Sequence, residues 1–197
     1  ISNSGYGGGG NYTRKNGLAN SGGGGAGGNG NGGSGLVILK ERKNVSENVN
    51  LTHDLKYNNY HLLTEHVKQP SDNILIFNYN EFKDNGQGQT EYKLILNNNY
   101  DIELLLVGGG GAGGKGNYID SKIIAGGGGG GGGVIFVNNL SLLQNEYIIK
   151  VGNGGIDSEG KNSSFSYLQT EAIGGGMGSS YESNLTNDGG SGGGSII

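Results

Sequence analysis

Residues 125–134 read AGGGGGGGGV: eight consecutive glycines run directly into the apolar stretch VIFV. Three readings compete for such a run. A tether would use glycine for looseness. A phosphate loop would use it for close backbone approach, with a helix immediately behind it. In the third reading the missing side chains are themselves the packing device. Glycine loses more backbone freedom on ordering than any other residue, about 1–2 kcal/mol per residue, so an ordered run needs compensation of that size. The polyproline II conformation offers it. It has three residues per turn and no internal hydrogen bonds, so every N–H and C=O points outward to a partner. Without Cβ atoms such helices pack side by side and bond backbone to backbone. At about 3.1 Å per residue, eight glycines make a rod of about 25 Å.

The distribution of glycine favours the third reading. Of 197 residues, 46 are Gly, about three times the ordinary share. Sixteen lie in residues 1–36, two in 37–107, fifteen in 108–133 and thirteen in 134–197. Blocks at 5–10, 22–35, 108–116, 126–133, 174–178 and 189–194 alternate with apolar segments such as LLLV, VIFV and YIIKV. Linkers do not alternate in that way. The structural glycines are therefore Gly108, Gly109, Gly110 and Gly111, the run Gly126, Gly127, Gly128, Gly129, Gly130, Gly131, Gly132 and Gly133, and Gly174, Gly175 and Gly176.

Between the blocks the sequence reads as strands. LVIL at Leu36, Val37, Ile38 and Leu39 is a short strand with a charged exit. Residues 73–82, 90–99 and 100–108 are further strands, the first two separated by the turn signal Asp84-Asn85-Gly86. Glu91, Lys93 and Ile95 alternate with Tyr92, Leu94 and Leu96, the period of a half-buried strand. Two more strands are expected around a turn at Asn138–Asn145. The fold class is thus mainly β and irregular: small antiparallel sheets anchoring a bundle of polyglycine II helices, with little α-helix. Residues 1–43 read as the C-terminal part of a glycine-rich domain, 44–71 as a polar connector with one helical turn near YHLLTEHV, and 72–197 as a β-strand plus glycine-rich domain.

Several chemical motifs nearly fit. Gly109, Gly111 and Gly114 match G-x-G-x-x-G, and Gly109, Gly114 and Lys115 match a P-loop except that Gly116 stands where Ser or Thr should hold Mg²⁺. Both motifs need a following helix, and the run of glycines that comes next costs a helix about 1 kcal/mol per residue. His61, Glu65 and His66 carry one residue too many for H-x-x-E-H. GGSGGGSII at 189–197 has Gly194 in place of the calcium-binding Asp of a β-roll. No catalytic residue, cofactor or metal site is expected. Net charge is −4 without a basic cluster, which argues against nucleic acid, and no apolar run is long enough to insert in a membrane. Cysteine is absent. Sequons stand at Asn11, Asn44, Asn50, Asn162 and Asn184. The chain begins at Ile1 without a visible signal peptide, and is expected to be processed or part of something longer.

Tyr6, Tyr118 and Tyr181 sit in or beside glycine clusters. The preferred reading is that they shield exposed backbone; the sharper one makes Tyr118 and Tyr181 contact residues at loop tips.

The order of elements resembles the glycine-rich domains of tail-fibre and adhesin-like proteins of phages, large viruses and bacteria. The resemblance rests on Leu105–Gly114, Gly126–Val137, Tyr147–Gly155 and Gly160-Lys161-Asn162-Ser163-Ser164-Phe165, with the closing GGSGLVILKERK displaced to residues 32–43. It implies a structural or receptor-binding appendage on an extracellular or virion surface, with no active site. The displaced element leads to the expectation that residues 1–43 complete the glycine-rich domain of a neighbouring copy, with Leu36–Leu39 as the assembly strand, in a head-to-tail filament. A tandem fibre or completion within one chain would explain the same order. The expected partners are copies of the chain itself, and a host receptor or glycan if the chain is an adhesin.

Overall fold

The computed structural model describes residues 8–11, 13–42, 55–58, 67–71, 74–96, 98–119, 122–181 and 188–194. Eleven strands account for nearly all its regular structure: β1 (Leu36–Glu41), β2 (Leu55–Asn58), β3 (Val67–Ser71), β4 (Ile74–Asn78), β5 (Gln89–Leu96), β6 (Tyr100–Val107), β7 (Asn117–Ile119), β8 (Lys122–Ile124), β9 (Val134–Leu142), β10 (Glu146–Gly152) and β11 (Ser164–Phe165). A single 3₁₀ turn, Glu81–Lys83, is the only helical element among the described residues.

The strands form a five-stranded sheet in the order β3-β4-β1-β6-β9, a four-stranded sheet in the order β11-β10-β5-β2, and the hairpin β7-β8, all antiparallel. The two larger sheets share one core. Val37, Leu39, Leu75, Phe77, Ile102, Leu104 and Leu106 meet Tyr92, Leu94, Ile149, Val151 and Phe165, each almost fully buried. Period-two alternation produces this: along β5 every second residue from Thr90 to Leu96 is buried, while Glu91 and Lys93 face out. The outward charges pair across strands, Lys93 with Glu146 at 2.6 Å and Lys40 with Glu103 at 2.9 Å. Such exposed pairs contribute about 0–1 kcal/mol each; the sandwich core carries the stability of this half.

Two expectations change. The two strands expected around Asn138–Asn145 are present, but the first runs on past Asn138: it bulges there, placing Asn138 and Asn139 opposite the single residue Glu103, and continues to Leu142. The turn falls at 143–145. The segment read as a connector supplies β2 and β3, edge strands of the two sheets, because its Leu55 and Val67 ends reach unpaired backbone on β5 and β4. The helical turn expected near 60–67 lies outside the described residues except for Val67, which is strand. The Asp84-Asn85-Gly86 turn is present, with Gly86 at φ +81°, a conformation that costs glycine nothing and a side chain about 1–2 kcal/mol.

Leu36–Leu39 lies in β1, between β4 and β6 of its own chain, so a single chain fills this slot itself.

Candidate functional site: a lattice of glycine segments

At the ends of β1, β6 and β9 the chain leaves the sheet and continues as glycine. Residues 30–35 lead into β1, 108–114 follow β6, and 126–133 lead into β9. The lateral order of the sheet is thus carried on by backbone without side chains.

The 108–114 segment is the centre. All seven of its residues are buried, and all seven N–H groups are bonded. Gly108, Gly111 and Gly114 donate to the carbonyls of Gly133, Gly130 and Gly127 at 3.0, 2.9 and 2.8 Å. Gly109 and Ala112 donate to Lys161 and Ser158, and Gly110 and Gly113 to Gly33 and Gly30. The segment also accepts: Gly25 and Gly28 donate to Gly111 and Gly114, Gly175 and Gly178 to Gly109 and Ala112, and Gly155 to Gly110. Every third residue returns to the same neighbour. The period of three holds elsewhere, as Gly127, Gly130 and Gly133 donate to Ser179, Gly176 and Ile173, while Gly129 and Gly132 donate to Gly25 and Gly22.

The spacing leaves no room for side chains. A Cβ at Gly110 would stand 2.2 Å from the Gly23 carbonyl oxygen, at Gly111 2.1 Å from that of Gly176, and at Gly129 2.1 Å from that of Gly111. A net backbone bond contributes about 0.5–1.5 kcal/mol, the same order as the cost of ordering one glycine. A segment deprived of its neighbours would therefore not hold its shape, and the lattice forms as one unit.

Two side chains tie the lattice to the sandwich. Ser163, fully buried, donates through Oγ to the Val107 carbonyl at 2.7 Å and accepts the Gly152 N–H at 3.0 Å. Asn162 accepts the Gly174 N–H through Oδ1 at 2.9 Å and donates through Nδ2 to Glu171 at 2.7 Å. Both lie in the GKNSSF stretch, but nothing in the sequence announces which groups they bond. Asn162 also heads a sequon, and its amide nitrogen is already engaged in that bond.

Gly109–Gly114 lie in the lattice, so the amides that would cradle a phosphate are bonded to carbonyls, and the following element is strand β7. Lys115 pairs with Asp157 at 3.3 Å. Tyr118 projects from the β7–β8 hairpin, 67% exposed. Tyr181 is half-buried, with its N–H on the Lys115 carbonyl. His61, Glu65, His66 and Tyr6 lie outside the described residues.

Sequence reasoning missed a groove of about 500 Å³ beside the lattice, whose walls include Asn16, Asn31, Tyr79, Asn80, Phe82 and Asn153. Phe82 stands on the 3₁₀ turn, 84% exposed. The Tyr79 hydroxyl donates to Asp84 at 3.0 Å; burial first, then that bond and the nearby carboxylates, push its pKa up to about 12.

A family model described as a glycine-rich domain matches residues 86–196. The match takes in the 108–114, 126–133 and 174–178 segments and leaves out residues 22–35, which bond into the same lattice, and β1, which lies in the five-stranded sheet. No curated protein matches the chain, and no solved structure does.

Proposed function

The chain belongs to the glycine-rich domain family, and from that premise we propose that it is a structural subunit or segment of an extracellular or virion-surface fibre. Its glycine segments form a polyglycine II bundle, and its work is mechanical rather than catalytic. The observation that carries this reading is the period-three hydrogen bonding around residues 108–114. That period equals the three residues per turn of the polyproline II helix. A body held by dense backbone bonds offers few openings for proteolysis and resists bending.

Assembly is head to tail. β1 fills a slot between β4 and β6 in its own chain, and the 22–35 segment bonds to the 108–114 and 126–133 segments; the same residues of a neighbour fit the same places, with 44–71 as the crossing segment. Such an exchange is heterologous and extends without closing.

The test is negative-stain electron microscopy of native material, with intact mass on the same sample. Regular filaments of chains this long support exchange between copies. Filaments of a much longer polypeptide make the chain one segment of a tandem fibre. Discrete monomers overturn the fibre reading.

A second reading, a receptor-binding adhesin, is favoured by the Phe82 groove. Asparagine amides both donate and accept, an exposed aromatic ring covers the apolar face of a sugar, and among the described residues Glu81 is the one charged side chain lining the groove. That chemistry suits a neutral glycan. Glycan-array binding lost in Phe82→Ala would support it; no binding by the intact chain, or binding unchanged in the variant, would remove it.

A further inference from the structure

The 126–133 segment uses two of its three donor rows inside the molecule and leaves the third open. Gly127, Gly130 and Gly133 donate to residues 173–179, and Gly129 and Gly132 to residues 22–25. Among the described residues the N–H groups of Gly128 and Gly131 have no backbone acceptor. Gly128 is exposed, and a Cβ at either position would come no nearer than 3.8 and 3.7 Å to any neighbouring atom.

The direction of the open row follows from the order of neighbours. The 108–114 segment donates to the 126–133 segment and touches both residues 22–28 and 173–179 through its own bonds. It therefore lies between the two used donor rows. With three rows at equal angles, the open row points directly away from it. β9 lies beyond β6 in the same sense, at the sheet edge, so the open row and the outer edge of β9 face the same way. Together they make one backbone edge from Gly128 to Val137 that is unpaired among the described residues, ended by the bulge at Asn138–Asn139.

This edge is unlike the other three. β3 carries Lys68 and Pro70, β2 has four residues, and β11 has two; all are features that discourage pairing. β9 has nine residues, no charge and no proline. Its Val134 and Phe136 are 64% and 62% exposed. By register, Phe136 ends an apolar row across the outer face of the sheet through Leu105, Ile38 and Ile76.

We propose that the Gly128–Val137 edge is a docking site for a second copy of this chain, which lays a glycine segment against Gly128 and Gly131 and the adjoining strand against Val134–Val137. The occupant must present carbonyls and no side chains over the first stretch, then an apolar strand over the second. A glycine segment joined to an apolar strand is the unit this chain repeats at 30–41, 100–114 and 126–142. The edge offers the N–H groups of Gly128 and Gly131 and both N–H and C=O groups along β9, and the proposed occupant is a segment other than 128–137 of the second copy. The contact is heterologous and adds copies sideways or lengthwise without closure. It extends the fibre reading but does not need the exchange of β1.

The double variant Gly128→Val/Gly131→Val tests it, because the fold has room for both side chains. Sedimentation over a range of concentrations, with thermal melting of the same samples, reads association and folding separately. The expected result is association of the unsubstituted chain, weakened at least about tenfold in the variant, as loss of two backbone bonds of about 1 kcal/mol each requires, with melting unchanged. Phe136→Lys should weaken association independently. Equal association by all three proteins, or none by the unsubstituted chain, overturns the proposal. Hydrogen exchange in any filaments separates the two ideas. Filaments whose Gly128 and Gly131 amides exchange freely sink this edge and leave the fibre reading standing. Substitution-sensitive oligomers without filaments do the reverse.

Discussion

The sandwich and the glycine lattice are two solutions to the same problem of excluding water from a backbone. In the sandwich, Leu104, Phe77 and Ile149 fill the space between sheets, and the strand backbones pair within each sheet, with the Tyr92 hydroxyl donating across to the Asn78 carbonyl. In the lattice the backbone fills the space itself and bonds in three directions. A side-chain core tolerates exchange of similar volumes, because rotamers adjust. The lattice has nothing to adjust: the atom facing each interior glycine is a carbonyl of another segment. The first region should be sensitive to how much is removed, and the second to anything added.

The largest expected effect breaks the lattice from within. Gly111→Ala, Gly129→Val and Gly130→Val each set a Cβ about 2 Å from a carbonyl oxygen. Each should cost more than about 4 kcal/mol, the exceptional end of single substitutions, and urea titration should find the variant chains unfolded or with the lattice lost. A variant that unfolds at the parent midpoint would mean that the octaglycine is a loose loop.

Next comes the sandwich. Leu104→Ala should cost about 2–5 kcal/mol and Leu104→Met less than about 1.5 kcal/mol, read as thermal midpoints. Equal losses from the two would erase the contrast, since size would no longer matter where side chains pack.

Alkali should separate the regions by charge. Burial raises the pKa of Tyr92 and, to about 12, that of Tyr79. The folded state holds these protons more tightly than the unfolded chain, whose tyrosines titrate near 10. The stability this provides is therefore complete below about pH 10 and is lost as pH rises through the folded values. The 108–114 core contains no titratable side chain. The phenolate signals of Tyr79 and Tyr92, read as what is lost in Tyr79→Phe and Tyr92→Phe, should appear together with loss of strand signal, above the range of a free tyrosine. Titration of Tyr79 and Tyr92 near 10 in the folded protein would contradict their burial.

The smallest effect sharpens the comparison inside a single run. Gly128→Ala lies one residue from Gly129 yet faces open space. It should change stability by no more than about 1 kcal/mol, and toward greater stability, because alanine restricts the unfolded chain. A loss as large as that of Gly129→Val would show that the run has no inside and outside.

Much of the sandwich was legible. The alternation in 91–96 set Tyr92, Leu94 and Leu96 on one face, since a half-buried strand has one buried face, and 100–108 was legible as a strand without its inward residues being named. The bulge at Asn138–Asn139 was not, because two polar residues in sequence look like a turn until a partner strand holds them in register. Nor were β2 and β3, whose polar sequences pair only because β5 and β4 present open edges. The Phe82 groove joins residues 16–34, 78–82 and 153–156, a meeting that no local pattern announces.

The sequence by itself determined that glycine would be structural here, since blocks of similar length alternate with apolar strands and a free chain has no reason for that order. It also determined the antiparallel β character, because period two is written residue by residue. Only the tertiary structure decided which glycines are inside. The eight residues at 126–133 are identical as letters; Gly129 and Gly130 face carbonyls while Gly128 and Gly131 face open space, because a three-residue period acquires a phase only from the neighbours it bonds to.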